Sequence, residues 1–244
     1  MTGITGPAWA PPPAHVVYQP SRGLATWAML AAGLQAALGV VMTGTAWWMA
    51  LTPRRPGFDW NSPTAPIAPA DVADGAVSTL GLPVLVAAAV LGVVWTVRVR
   101  RNAEQLAAAR HTRGRVWAWL GWLVPVVNLW FPYQVVSDVY RSADPDLPPQ
   151  APLGLRRVPG WFLVWWLAWL GFSALDSLYG GVWAGSDPLD VDALRLAAVL
   201  QTLSAVVTVV AAVLWVRVVT VVGRDQGERA RRLAGCFPAA VIFR

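Results

Sequence analysis

The residues best suited to chemistry fall in one apolar stretch, Trp117–Gln134, which carries two prolines and an asparagine among tryptophans, leucines and valines. Gly121, Pro125, Asn128 and Pro132 recur at i, i+4, i+7 and i+11, the spacing of one helix face. A proline lacks an N–H and disturbs the carbonyl four residues back, here that of Gly121 or Asn128. Polar groups in apolar surroundings need partners. The expected chemistry is neutral hydrogen bonding: a polar site of Asn128, freed carbonyls and Gln134 beside Pro125 and Pro132. The competing expectation is an ordinary side-chain hydrogen bond from Asn128 to a neighbouring helix. Gln134, Asp138 and Arg141 continue at i, i+4 and i+7, and Asp138–Arg141 reads as a surface ion pair of small value.

Further polar residues lie in more regular apolar runs. Gln35 stands on a stripe of small residues, and Gln201 stands on another with Ser204 and Thr208. Small residues with one amide suit close helix packing, so these two helices are expected to pack with the glutamines near one another. Asp176 is a candidate to pair with Arg195 across a short acidic connection. Asp190 or Asp192 is expected to cap the last helix rather than hold a cation with Asp187. His15, His111 and Cys236 are far apart in sequence and show no zinc spacing. No catalytic constellation, resident metal or cofactor is implied.

These residues need a scaffold, and composition names it. Of 244 residues, 56% are hydrophobic and 13% charged, half the charge of an average soluble domain. Four apolar segments, at about 24–51, 77–97, 161–178 and 194–216, have the length of helices that cross roughly 30 Å of hydrocarbon. The expected fold is all-α and polytopic. A disordered Pro-rich tail (1–22) precedes a four-span domain (23–224) and an Arg-rich C-terminal tail (225–244). The sixteen tryptophans are expected at the membrane–water interfaces.

Arginine placement sets the expected orientation, because there is no lysine. Four spans with both termini cytoplasmic place sixteen arginines inside and three outside. A fifth span through Trp117–Val136 leaves only eight inside and eleven outside. Segment 116–140 is therefore expected to be a kinked helical segment, re-entrant or interfacial, on the cytoplasmic side of the cell membrane. Arg98, Arg100, Arg101, Arg113 and Arg115 then read as contacts to anionic lipid headgroups rather than to nucleic acid.

The pattern Trp122-x-x-Pro125-x-x-Asn128-Leu-Trp130-x-Pro132-x-Gln134-x-x-x-Asp138, between Arg98–Arg115 and Ser142-Ala-Asp-Pro145, resembles an uncharacterised family of actinobacterial multi-span membrane domains. The resemblance covers roughly Ser21–Arg224. It implies apolar helices before and after the signature and supplies no activity. The first expectation is a non-enzymatic membrane protein that organises protein partners, copies of itself or lipids at the inner face. A small carrier or pore gated by the kinked segment is the second, and a membrane enzyme the third.

Overall fold

A computed structural model describes residues 16–52, 69–185, 190–236 and 241–243. Strand β1 (Val16–Tyr18) precedes helices α1 (Arg22–Leu51) and α2 (Pro69–Leu106). Two short helices, α3 (Trp117–Leu123) and α4 (Phe131–Ser142), follow, then the long helices α5 (Gly160–Gly185) and α6 (Val191–Cys236) and strand β2 (Val241–Phe243). Asp187, like most of the Pro-rich loop after α1 and the first fifteen residues with His15, lies outside the described residues.

The four long helices are long and apolar enough to cross a membrane. Their outward faces carry Leu30, Leu34, Val86, Val90, Leu163, Leu167, Val206 and Val213, all exposed. Apolar surface of that extent belongs against lipid rather than water, and the chain is a multi-pass membrane protein. Two helices outrun the expected spans. At 1.5 Å per residue, the 38 residues of α2 reach about 57 Å and the 46 of α6 about 69 Å, well beyond a 30 Å core. Their ends project from the same side, where α1 and α5 begin.

Helix α1 packs on both α2 and α6, and α5 packs on α6. Small residues make the α1–α6 seam close: a Cβ on Gly39 would lie 3.9 Å from Ala205 of α6. Thr43 Oγ1 and Gln201 Nε2 add polar contacts across it, and Trp47 Nε1 donates to Thr202 Oγ1 at 2.9 Å. Several tryptophans leave the interfacial role expected of them. Trp95, Trp165, Trp166 and Trp215 are buried and form the core. Trp215 meets Trp95 edge-on at 5.0 Å and stacks on Trp165 at 5.3 Å. They fill the space where α2 and α5 make little direct contact.

Residues 16–18, expected in a loose tail, pair in parallel with 241–243. The side-chain amide of Asn102 explains why this short strand is held: it donates to Gln19 O at 2.8 Å and accepts from Gln19 N at 3.2 Å.

Candidate functional site

The signature segment is not one helix. Helix α3 stops at Leu123, because Val124 is extended just before Pro125, whose ring disfavours helix in the residue before it. A single 3₁₀ turn (Val127–Leu129) follows, and Trp130 breaks the path again before α4 starts with Pro132 in its first turn. The one-face arrangement of Gly121, Pro125, Asn128 and Pro132 therefore fails. Gly121 and Pro132 still meet, but through a reversal: a Cβ on Gly121 would stand 3.2 Å from Phe131 Cβ and 3.8 Å from Pro132 Cδ. A side chain there would press α3 against the start of α4.

Asn128 sits in the 3₁₀ turn, where its N–H donates to Val124 O at 2.8 Å. Its side-chain oxygen is buried without a partner among the described residues. The bond to a neighbouring helix is made elsewhere: Trp166 Nε1 of α5 donates to Leu129 O at 2.8 Å. Trp122 adds ring contacts to Trp166 and Trp169. The turn is thus fixed to α5 by its backbone and its tryptophan rather than by Asn128.

The second half of the signature builds a polar cap over the projecting helix ends. Asp138 is not half of a surface pair. Its side chain is 1% exposed, and its carboxylate accepts from Thr112 N at 2.6 Å, from Thr112 Oγ1 at 3.2 Å and from Arg141 at 3.4 Å. Gln134 Oε1 accepts from Arg113 Nε at 2.8 Å, and the Arg113 guanidinium lies 4.1 Å above the Phe131 ring. Arg100 was expected among the lipid contacts and is instead buried. It donates to Glu104 Oε1 at 3.1 Å and to Arg113 O at 2.8 Å. Its place on the inward face of α2, beside Val99 and Ala103, puts it under the 107–116 loop. Arg101 and Arg115 remain exposed, Arg98 and Arg113 are half-buried, and Arg115 reaches Glu104 at 2.7 Å. His111 is covered by this loop with both ring nitrogens unpartnered among the described residues. Burial first, and then the nearby Arg100 charge, lower its pKa to about 4.

Three cap residues were not picked out from sequence. Arg156 donates to Tyr140 O at 2.7 Å and to Asp225 Oδ2 at 2.6 Å, with its guanidinium 3.7 Å above the Tyr140 ring. Gln226 Nε2 donates to Val99 O at 2.8 Å. Arg229 donates to Leu106 O at 3.0 Å and to Asp144 O, closing the C-terminal end of α2. A signal existed. Val218, Val222, Asp225, Gln226 and Arg229 continue one helical stripe past the last apolar span, and a face that stays buried while turning polar marks a helix entering a polar core.

The remaining candidates stand apart from this cap. Gln201 is buried and reaches Gly39 O at 3.5 Å, one turn along α1 from the expected Gln35. Gln35 itself lines a cavity of about 70 Å³ with Trp122, Trp165, Trp169, Thr208 and Trp215. That cavity opens where α2 and α5, among the described residues, barely touch. Asp176 and Arg195 do not pair. Arg195 approaches Asp192 at 3.5 Å, both exposed, because residues three apart on one helix turn meet more readily than residues on separate helices. Asp190 caps α6 as expected, accepting from Asp192 N at 2.9 Å and Ala193 N at 3.3 Å.

Every carboxylate oxygen of Asp138 and Asp225 is already engaged by donors. The cap can fix loops and present guanidinium groups. Comparison with known proteins finds no match among curated proteins and none among solved structures. Residues 62–224, from the end of the first loop through α2 and on through most of α6, match the family described as "Domain of unknown function (DUF4328)". That stretch is two thirds of the chain and holds the whole signature segment and most of the cap, and the chain belongs to this family.

Proposed function

We propose that this is a non-enzymatic protein of the cell membrane that organises lipids or protein partners at its cytoplasmic face. One observation carries the reading. Among the described residues, the end bearing the cap has fifteen arginines and six carboxylates, whereas the opposite end has one arginine and five carboxylates. The buried members of the cap hold it rigid, and Arg101, Arg110, Arg115, Arg157 and Arg217 stay on the surface. Such a surface attracts anionic headgroups, and its sign favours a cytoplasmic location for both termini. Segment 116–140 then lies at the cytoplasmic interface.

The test has two parts. Cys236 is exposed at the end of α6, so an impermeant maleimide should label it in opened vesicles and not in intact cells; labelling in intact cells would reverse the orientation. Replacing Arg98, Arg101 and Arg115 with Gln should then reduce the anionic lipid that stays with the protein after extraction in polymer-bounded discs. Unchanged lipid content would remove the lipid form of the reading.

A small carrier is the second reading, favoured by the cavity between α2 and α5 with Trp122 at its inner end. Solute flux in proteoliposomes that responds to Trp122→Ala or Asn128→Leu supports it. Flux that ignores these changes and Gln134→Leu counts against it.

A further inference from the structure

A groove between the start of α1 and the end of α6 has a different composition from the cap. It holds about 670 Å³, within the range of small-molecule sites. Tyr18 of β1 and Phe243 of β2 form one wall, meeting edge-on at 5.8 Å. Three guanidinium groups line it, those of Arg22, Arg224 and Arg231, and among the described residues no carboxylate does.

The three arginines are incompletely neutralised. Arg224 shares the Asp225 carboxylate with Arg156, which holds the other oxygen at 2.6 Å. Arg231 shares Glu228 with Arg232. Arg22 has no carboxylate partner among the described residues. The first turn of α1 adds to the positive field. Ser21 does not cap it with its side chain, so backbone N–H groups at the groove's edge remain available.

Toward the membrane the lining changes character: Met29 of α1 continues the groove beside Thr26 and Thr220, whose hydroxyls donate to their own helix backbones. A cationic mouth above an apolar floor, both at the level where the spans end, matches one ligand chemistry. We infer that this groove binds an anionic glycerophospholipid, with its phosphate among Arg22, Arg224 and Arg231 and the first carbons of its acyl chain along Met29. Guanidinium groups suit this role because their planar donors match two phosphate oxygens at once. A nucleic acid would use the cationic mouth but has nothing to place on the floor. The inference takes from the proposed function only that this end of the bundle meets lipid, and it names a site distinct from the Arg98–Arg115 rim.

The test uses the full chain in neutral detergent and reads the shift in Tm on titration with phosphatidylglycerol, phosphatidylcholine or inorganic phosphate. Phosphatidylglycerol should stabilise the protein, and the other two should not do so at the same concentration. Replacing Arg22, Arg224 and Arg231 together with Gln should weaken phosphatidylglycerol binding about tenfold or more, since each arginine near a headgroup contributes appreciably. Replacing Arg98, Arg101 and Arg115 with Gln should weaken it much less. If the triple groove variant does not fold, Arg22→Gln alone and Met29→Trp serve in its place; each should weaken phosphatidylglycerol binding, Met29→Trp by filling the floor with the arginines intact. Equal stabilisation by inorganic phosphate would overturn the lipid assignment. Loss in the rim variant but not in the groove variants would overturn the groove and leave the broader lipid reading standing. No preference for phosphatidylglycerol in any form of the protein would overturn both.

Discussion

Two arginine clusters share one end of the bundle and differ in what surrounds them. In the cap, Arg100, Arg156 and Arg229 are nearly or largely buried, and each directs donors to a carboxylate or to a carbonyl at a helix end or loop; of these three, only Arg100 leaves a nitrogen, Nη1, buried without a partner among the described residues. In the groove, Arg22, Arg224 and Arg231 are exposed and share their carboxylates or lack them. The side chain is the same, so the difference lies in desolvation. A buried guanidinium must be matched where it stands, whereas an exposed one keeps its hydration and can exchange it for a ligand. Structural arginines and ligand-binding arginines can therefore lie within a few turns of one helix, as Arg224 and Arg229 do on α6.

The sharpest way to break the contrast is to remove a cap carboxylate. Asp225→Ala leaves Arg156 buried without its closest acid and should destabilise the protein by about 3 kcal/mol or more. The loss would be read as a lower Tm or denaturant midpoint in detergent. A drop no larger than that of an exposed pair such as Asp192–Arg195 would erase the distinction between the clusters.

His111 gives the next largest effect. Its pKa is lowered from 6.5 to about 4, so the folded protein favours the neutral ring. The unfolded chain takes up a proton first as pH falls. Stability from this group is complete above about pH 6.5 and is lost progressively down to about pH 4. The integrated loss is at most about 3.4 kcal/mol, and partial exposure of the ring makes about 2 kcal/mol a better figure. His111→Phe should flatten the stability profile across that window. An unchanged slope would show that the ring is not held neutral by the cap.

Gly121→Ala tests the turn that carries the cap's second half. The added Cβ would press on Phe131 at 3.2 Å, and overpacking of this kind costs about 1–2 kcal/mol. Gly223→Ala, at a helical glycine with nothing within 4 Å of its Cβ, should be neutral or slightly stabilising. Equal effects at the two glycines would deny the close approach.

The smallest expected change is at the groove. Arg22→Gln and Arg231→Gln should alter stability by less than about 0.5 kcal/mol in lipid-free detergent, in contrast to Asp225→Ala. A destabilisation similar to that of Asp225→Ala would move these arginines into the structural class.

Much of the architecture was legible from residue order alone. Apolar runs long enough to span, with arginines gathered at one end, required four helices, because lipid satisfies no backbone polar group. The Asp190 cap and the α1–α6 packing also followed from local patterns, since capping and small-residue stripes are properties of adjacent residues. Pro125 announced a disturbance. Whether it would kink a helix or end one depended on what waited for the freed backbone, and Trp166 supplied that partner from α5. Asp138 looked like half of a surface pair because its nearest sequence neighbour of opposite charge is Arg141. Only the folding of residues 107–116 over α4 brought Thr112 to it and excluded water.

Residue order carries four segments long and apolar enough to span, the gathering of arginine at one end and the place of the break, because hydrophobic length, net charge and proline geometry act locally. Tertiary structure decided which arginines are buried and which remain available. Burial depends on what residues far away in the chain bring to the same place: Asp225 to Arg156, Leu106 to Arg229, and β1 with α6 to the groove around Arg22.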